Sequence, residues 1–247
     1  MKFHYCIVVL LFSKIGFAQE PIHFSFWNKQ FNPSFSIDEK NFSYISFENK
    51  FLLKEWNKKL FGFDKKIKKG RIHCLFIQRG NSNFSSNKTS ISYAQKMSPK
   101  LNLGLSLEYT FFQQSEIKDN PKLFSPIFGV SYKHSKLNSF YSSLYNSGIN
   151  YHNNGLPNCL LIFWNHYLNN KSSFSTGCTT EKENLYVAFA FHYFHSERFK
   201  FTLGLNSSER PIEFSFSCSF KEVEFLFQNN YHQILGFSNQ IGIAYKW

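Results

Sequence analysis

The C-terminal end of the chain alternates between two kinds of side chain. From Phe237 to Trp247 every second residue is apolar or aromatic, except Asn239. The residues between them are small or polar: Ser238, Gln240, Gly242, Ala244 and Lys246. A strand with this period of two has one apolar and one polar face. Strands of about 9–11 residues with this pattern cross outer membranes with their apolar face toward lipid. The last strand therefore predicts a membrane barrel.

The same alternation recurs along the chain, most clearly in 101–111, 185–193, 199–206 and 212–220. Weaker segments raise the number of predicted strands to fourteen, and closed single-chain bacterial barrels require an even number. We predict strands at 22–27, 41–54, 71–79, 88–97, 101–113, 123–133, 137–147, 158–168, 172–180, 184–195, 198–206, 211–220, 222–231 and 236–247. The predicted fold class is all-β: one closed antiparallel transmembrane β-barrel of about 14 strands, with 12 as the fallback.

The N-terminus has the features of an export signal. An apolar stretch at 7–12 is followed by Gly16 and Ala18, which occupy the −3 and −1 positions of a cleavage site before Gln19. We predict a signal peptide over 1–18 and a barrel domain over 19–247. Without residues 1–18 the chain keeps 26 basic and 16 acidic residues, a formal net charge of +10.

Composition narrows the class of protein further. Aromatic residues make up 20% of the chain, yet its mean hydropathy is −0.33. Only one face of a barrel strand meets lipid, so a membrane barrel combines these two properties. A helical membrane protein is excluded, since no segment of the mature chain approaches 18 apolar residues. A secreted soluble β-sandwich, which would bury similar aromatics in its core, is the competing interpretation.

The segment 54–70 departs from the strand pattern because it carries seven lysines. We interpret it as a short helix or a basic loop that is solvated or contacts anionic lipid head groups or lipopolysaccharide phosphates. The 57–70, 114–122 and 148–157 segments are predicted as the longer connections, leaning toward the exterior. No nucleic-acid reading motif is present, so nucleic acid is not a predicted partner.

Four short stretches carry a family resemblance over residues 30–135. Asn32-Pro33-Ser34 is followed by the aromatic-rich run 47–55, then by Tyr-Ala-Gln-Lys at 93–96 and Leu-Gly-Leu at 103–105. In these features the chain resembles Bacteroidetes outer-membrane barrels related to the FadL-like porins, including barrels associated with type IX secretion. The resemblance implies an outer-membrane location in a Gram-negative, Bacteroidetes-like bacterium. An obvious glycine-rich N-terminal hatch is lacking, which argues against a FadL-style route for hydrophobic ligands.

Aromatic residues near strand ends predict a girdle at the level of the lipid head groups, where an amphipathic ring satisfies both its apolar body and its polar tip. The girdle residues are Trp27, Trp164, Tyr109, Tyr132, Tyr193, Tyr245 and Trp247. Lumen-facing charges are predicted at Lys200, Glu213, Glu222 and Glu224. Such charges either pair and plug a lumen or line a water path, and the sequence leaves both arrangements open.

Residues that could perform chemistry are few. His134-Ser135 is a candidate hydrolase pair, but neighbours on a strand face opposite sides, so polar turn residues are the preferred interpretation. His192 and His195 are interpreted as interfacial residues rather than metal ligands. The four mature cysteines, Cys74, Cys159, Cys178 and Cys218, fit small apolar strand positions better than a disulfide framework.

The sequence therefore predicts a non-enzymatic barrel that is porin-like or associated with secretion or the envelope, with no cofactor and no metal. The alternatives are a structural or assembly partner of a type IX secretion apparatus without transport, and a lipid hydrolase at the barrel rim. The expected partners are outer-membrane lipid, lipopolysaccharide, the barrel-assembly machinery and components of a secretion system.

Overall fold

A computed structural model describes residues 32–34, 40–53, 56–81, 83–114, 122–146, 158–181, 184–196, 198–207 and 212–247. The predicted signal peptide 1–18, the candidate strand 22–27 and the predicted girdle residue Trp27 lie outside them. The described residues form fourteen strands and one short 3₁₀ turn at Lys50–Leu52. The strands are β1 Phe42–Asn49, β2 Asn57–Ile67, β3 Gly70–Gly80, β4 Phe84–Lys96, β5 Leu101–Gln114, β6 Lys122–Lys133, β7 Asn138–Asn146, β8 Asn158–Asn169, β9 Ser172–Glu181, β10 Asn184–Phe194, β11 Phe199–Asn206, β12 Ile212–Phe220, β13 Val223–His232 and β14 Gly236–Lys246.

The strands close on themselves as one antiparallel barrel. Each strand pairs with the next along the chain, and β1 pairs with β14 to complete the ring. Along this closing seam Phe42 lies opposite Lys246, and Asn49 lies opposite Asn239. Closure leaves no strand edge with unpaired backbone amides, which is the condition for a sheet in hydrocarbon. The predicted closed antiparallel barrel of fourteen strands is confirmed.

The prediction for the basic segment is wrong: 57–67 is strand β2, neither a helix nor a loop. Its lysines cluster at the two strand ends, while the centre places Leu60 toward the inside and Phe61 toward the outside. With apolar side chains on both faces, the period of two fades and the basic ends resemble a loop. The strand count agrees with the prediction, although the predicted set included 22–27 and omitted 57–67.

The barrel is polar inside and apolar outside. In β14 the side chain of Ile241 is 57% exposed, whereas that of the adjacent Gln240 is 4% exposed. The same alternation runs through β5, where Leu105 and Leu107 face outward and Ser106 and Glu108 face inward. A soluble sandwich would bury its apolar faces between two sheets, so the single closed sheet contradicts that alternative. None of the described residues forms a helix long and apolar enough to cross a membrane.

The two rims of the barrel differ in their connections. One rim, here called the terminal rim, holds the start of β1, the end of β14 and the short turns, such as 68–69, 170–171 and 221–222. The opposite loop rim holds the longer connections, including 115–121 and 147–157, whose structure lies outside the described residues. Bacterial outer-membrane barrels place short turns on the periplasmic side.

Candidate functional site in the barrel lumen

Part of the lumen is occupied by side chains from the wall itself. Bulky apolar residues on β1, β2 and β3 face inward and form a buried cluster with two residues of β13 and β14. The cluster consists of Phe42, Tyr44, Leu60, Leu75, Ile77, Leu226 and Ala244. We call the inward face of β1–β3 the filled sector. Burial of apolar surface there fastens the closing seam of the barrel from within.

Tyr44 lies at the centre of the filled sector. Its cross-strand neighbours are Gly62 on β2 and Ala244 on β14, two residues small enough to leave room for the ring. A β-carbon at Gly62 would collide with the Tyr44 ring. The Tyr44 hydroxyl lies 3.1 Å from Nε2 of His73, and the two rings are stacked. Because one side chain fits between two strands and bonds to a third, this corner of the wall is tightly packed.

Charged residues in and beside the filled sector are paired. Arg71 on β3 forms a buried ion pair with Asp64 on β2 and also donates to the backbone oxygen of Lys40. Nζ of Lys58 lies 3.5 Å from Oε2 of Glu48, and both side chains are buried. A buried charge is tolerated when a partner and further hydrogen bonds replace its water. These pairs allow charged side chains to be buried in the wall without water beside them.

The Asn32-Pro33-Ser34 motif lies inside the barrel, against β5 and β6. Two glycines that face each other across these strands, Gly104 and Gly129, form a shallow depression in the wall. A β-carbon at Gly104 would lie 2.6 Å from the carbonyl carbon of Pro33, and one at Gly129 would lie 2.7 Å from its Cδ. The motif and the glycines therefore fit each other sterically. We call this depression the glycine seat.

Hydrogen bonds hold the motif in the glycine seat. Nδ2 of Asn32 donates to the backbone oxygens of Val130 and Ser142, at 3.3 and 3.2 Å. Oδ1 of Asn32 accepts from the Ser34 amide at 2.9 Å, which closes an Asx turn. The Ser131 hydroxyl donates to the Ser34 oxygen at 3.2 Å. A short N-terminal segment thus packs on the inner wall, although the sequence shows no glycine-rich hatch.

The lumen also contains an open cavity of about 560 Å³ at the terminal rim, next to the filled sector. The inward faces of β11, β12 and β13 form its floor, and residues 170–171, 195–196 and 198 form its edge. We call this part of the lumen the open sector. Leu226 borders both the cavity and the apolar cluster, so the two sectors meet at β13.

The open sector combines hydroxyl groups with basic side chains. Thr202, Ser215, Ser217 and Ser219 line its wall. The basic lining residues are Lys171, Arg198, Lys200 and Lys246, and the described lining contains one carboxylate, that of Glu224. The lining therefore offers hydrogen-bond donors and an excess of positive charge.

Two contacts fix the positions of the cavity lysines. The ammonium of Lys200 lies 5.6 Å from the centre of the Phe194 ring, within the range of a cation–π interaction. Nζ of Lys246 lies 2.6 Å from Oε2 of Glu224. The Phe194 ring positions the Lys200 ammonium, and Glu224 pairs with Lys246.

Deeper in the wall, polar side chains form a chain across four strands. Nε2 of His192 on β10 lies 2.8 Å from the Ser175 hydroxyl, and its Nδ1 lies 2.9 Å from the Thr202 hydroxyl. The Ser175 hydroxyl also donates to Asn165 at 3.0 Å. His192 is therefore a buried wall residue, and its prediction as an interfacial residue is wrong. Inward-facing polar groups satisfy one another here, and that requirement explains their residue types.

The predicted lumen charges occupy different positions. Lys200 lines the cavity, and Glu224 forms its pair with Lys246 there. Glu213 is buried on the inward face of β12, opposite Gly204 of β11. Glu222 departs from the expectation, because it lies exposed in the turn between β12 and β13. Residues two apart share a face only within a strand, and Glu222 precedes the first residue of β13, so it does not share the face of Glu224. Sequence reasoning missed Arg198 and Lys171, which lie in turns.

Four predicted girdle residues, Tyr132, Tyr193, Tyr245 and Trp247, lie at the terminal ends of their strands with partly or fully exposed rings. Tyr109 lies in the half of β5 nearer the loop rim, where its ring centre is 4.8 Å from that of Phe124. Trp164 lies nearer the middle of β8.

The ring of Trp164 stacks on Phe140 and meets Phe174 edge to face. His166 extends the group and bonds to Asn138 at 2.7 Å. A cluster of aromatic side chains therefore covers the outside of β7–β9, and the membrane role of the girdle stays a prediction.

The other candidate residues have structural roles. Ser135 accepts hydrogen bonds from the amides of Leu137 and Asn138, which caps the turn between β6 and β7, and His134 is exposed beside it. Cys74, Cys159, Cys178 and Cys218 are free thiols. Cys159 faces inward on β8 and Cys178 outward on β9, so these two cannot join. The described residues contain no group of three potential metal ligands.

No protein-family model matches this sequence, and no curated protein matches it. Solved structures do resemble the fold. The toluene transporter TodX of Pseudomonas putida superimposes with a TM-score of 0.66 at 7% identity, covering 95% of this chain and 97% of TodX. The monoaromatic hydrocarbon channel CymD gives 0.64 at 8%, covering 93% and 95%.

The toluene transporter TbuX of Ralstonia pickettii gives a TM-score of 0.61 at 10% identity, covering 87% of this chain and 92% of TbuX. The three proteins are transporters or channels. At these identities the likeness concerns the fold alone, which is the closed barrel of these transport proteins.

Proposed function

We propose that the exported chain is a passive channel of the outer membrane. The observation that carries this proposal is a closed barrel with an apolar exterior and an interior cavity of about 560 Å³. Only closed barrels and helices can span hydrocarbon, because every backbone amide must be paired. The fold shared with TodX, CymD and TbuX supports a transport role over a catalytic one.

The outer surface of the barrel indicates its lipid surroundings. The aromatic side chains at the terminal rim suit contact with lipid head groups, and the apolar band above them suits acyl chains. Lipopolysaccharide in the outer leaflet and the barrel-assembly machinery complete the proposed partners. The terminal rim then faces the periplasm, because short turns lie on that side in such barrels.

Reconstitution tests the proposal. The purified chain should migrate faster on a denaturing gel before heating than after, as folded membrane barrels do, and should require detergent to remain dispersed. In planar lipid bilayers it should produce stepwise ionic currents. Absence of current at all salt concentrations and voltages, from protein that shows heat-modifiable migration, would contradict the channel and leave the membrane barrel intact.

A second candidate function is a non-conducting barrel that serves a type IX secretion apparatus of a Bacteroidetes-like bacterium. The filled sector favours it, because ion pairs and bulky side chains occupy lumen space that a wide pore would leave to water. This candidate predicts co-purification with a cell-envelope complex in mild detergent. Recovery of the chain alone from crosslinked envelopes would count against it.

A further inference from the structure

We propose that the outer face of the closing seam binds the phosphorylated sugar head of lipopolysaccharide, at a site formed by a row of asparagines near the loop rim. The proposal rests on the outer-membrane location in the proposed function and gives this lipid partner a defined place on the barrel. Its basis is a local break in the apolar exterior, built from residues that are far apart in the chain.

Four asparagines form the row on four adjacent strands. Asn229 of β13 lies opposite Asn239 of β14, which in turn lies opposite Asn49 of β1. Asn49 also lies opposite Asn57 of β2. All four face outward, since their neighbours along each strand, such as Gln240, are buried on the inward face. We call these four residues the amide row.

The amide row interrupts an apolar surface. Phe227, Ile241 and Phe47 are the next outward residues toward the terminal rim, and Tyr231 and Phe237 are the next toward the loop rim. On β10–β12 the outward side chains stay apolar up to the loop rim. The last of them are Leu185, Leu205 and Ile212. The polar row is therefore a feature of the seam, where an amide facing hydrocarbon costs free energy unless a polar group meets it.

The amides are only partly satisfied within the described part of the chain. Nδ2 of Asn229 donates to Oδ1 of Asn239. The Oδ1 atoms of Asn49 and Asn57 are buried and have no hydrogen-bond partner among the described residues. Both side chains are half-buried, so their NH₂ groups can donate to an oxygen that approaches from outside. Phosphate and sugar oxygens are acceptors of this kind.

The depth of the row matches a head group of the outer leaflet. Asn239 precedes Trp247, at the terminal rim, by eight residues. A rise of about 3.3 Å per residue and a strand tilt of about 40° place the row about 20 Å above the terminal rim. The apolar band of such barrels is about 25 Å tall, so the row lies just inside its outer edge. With the terminal rim toward the periplasm, as proposed, lipopolysaccharide is the lipid at that edge.

Neighbouring outward side chains fit a phosphorylated glycolipid. Lys59 continues the outward face of β2 with Gln78 of β3 opposite it, and its exposed ammonium beside amide donors suits a phosphate. The rings of Tyr231 and Phe237, with centres 5.2 Å apart, offer an apolar surface to the face of a sugar ring. A symmetric dimer would carry Lys59 on both partners, which disfavours a second copy as the occupant.

Native mass spectrometry tests the site. The detergent-solubilised chain, titrated with lipid A (the phosphorylated lipid anchor of lipopolysaccharide), should bind one molecule saturably and should bind phosphatidylglycerol more weakly. In N49L/N57L the affinity for lipid A should fall by roughly tenfold, because two amide donors are lost. N49S/N57S shortens the same side chains without apolar bulk and should weaken binding similarly. The control T176V/T180V removes two outward hydroxyls of β9, on the far side of the barrel, and should leave the affinity nearly unchanged.

Heat-modifiable migration and conductance, measured on the same variants, separate the site from the channel. Both should be unaltered, since the substituted residues face away from the lumen. Stepwise current from a barrel that does not bind lipid A would overturn the site and leave the channel standing. Lipid A binding to a folded barrel that never conducts would support the site and contradict the channel.

Three further outcomes would overturn the lipopolysaccharide site. The first is equal affinity for lipid A in the unaltered chain and both asparagine variants. The second is equally tight binding of phosphatidylglycerol, which carries a phosphate but no sugar ring. The third is a lipid-free dimer that N49L/N57L dissociates, because a second copy of the chain would then occupy the row.

Discussion

The filled and open sectors belong to the same closed sheet but differ in the side chains at their inward positions. In β1–β3 most inward side chains are large or charged, and they contact one another, as Tyr44 does with His73 and Arg71 with Asp64. In β11–β13 the inward positions near the terminal rim carry hydroxyls and leave a cavity of about 560 Å³. A barrel wall can therefore fill one side of its lumen with its own side chains while keeping the other side open.

The contrast shows how a fourteen-stranded barrel becomes stable and remains hollow. The seam between β1 and β14 joins residues from opposite ends of the chain, and its pairing carries a large loop-closure entropy. The apolar cluster spans this seam and adds tertiary contacts where closure is least favourable, and the ion pairs lie beside it, between β1, β2 and β3. The open sector lies in β11–β13, away from the pairing of the two ends of the chain, since these strands pair with their chain neighbours.

The largest expected effect is loss of the ion pair in the filled sector. Replacing Arg71 with Met leaves Asp64 buried without its charged partner and should lower the free energy of unfolding by about 4 kcal/mol. Denaturant titration in lipid vesicles, followed by tryptophan fluorescence, measures this change. The double variant D64L/R71M should recover most of the loss, because neither charge is then buried. A double variant as unstable as R71M would show that the pair is not the cause.

The next effect concerns packing between β1 and β2. Gly62→Val places a branched side chain where the Tyr44 ring lies and should cost about 3 kcal/mol of unfolding free energy. The control Ser219→Val adds bulk beside the open cavity and should cost about 1 kcal/mol or less, because the cavity accepts the volume. Equal costs in the same denaturant assay would remove the distinction between the sectors.

A functional effect is expected at the glycine seat. Gly129→Val should displace Asn32-Pro33-Ser34 from the wall, because the new side chain would collide with Pro33. Single-channel conductance should then rise by roughly twofold, since the motif no longer stays bound in the lumen and narrows it. Asn32→Ala removes the two hydrogen bonds to the wall by a different route and should change conductance in the same direction. Unchanged conductance in both variants would mean that the motif does not limit the path.

The smallest effect is expected at the cavity ion pair. Lys246→Met breaks the contact with Glu224 at the edge of the barrel, where the Lys246 side chain is 32% exposed, and should cost about 1 kcal/mol. The same denaturant titration measures it. A loss as large as that of R71M would place this pair among the buried ones and weaken the division into two sectors.

The strands differ in how clearly the sequence predicts them. In β11, β12 and β14 the inward residues are small or polar, so the period of two is clear in the sequence and the predicted strands agree with the structure within about two residues. In β2 both faces carry apolar side chains and the ends are basic, and the sequence therefore predicts a short helix or a basic loop there. The loss of the strand signal is specific to β2, because the prediction at 71–79 agrees with β3 in the same sector.

The candidate site was predictable only in part. Lys200 and Glu224 follow from strand parity and line the cavity. Arg198 and Lys171 lie in turns, where strand parity does not predict the direction of a side chain. Glu222 also lies in a turn, so its predicted direction failed for the same reason. A usable signal was present, since basic residues occur in or beside the turns 170–171 and 195–198, and alternate turns of an antiparallel barrel share one rim.

The sequence by itself determined that the chain forms two-faced strands and that these strands must close into a barrel with an apolar exterior. That information is local, because the period of two needs only a few neighbouring residues. Only the tertiary structure decided which inward side chains meet, such as Gln240 and Ser46, which are 194 residues apart and 3.0 Å from each other. Pairing of β1 with β14 sets these contacts, and long-range register has no counterpart in a local pattern.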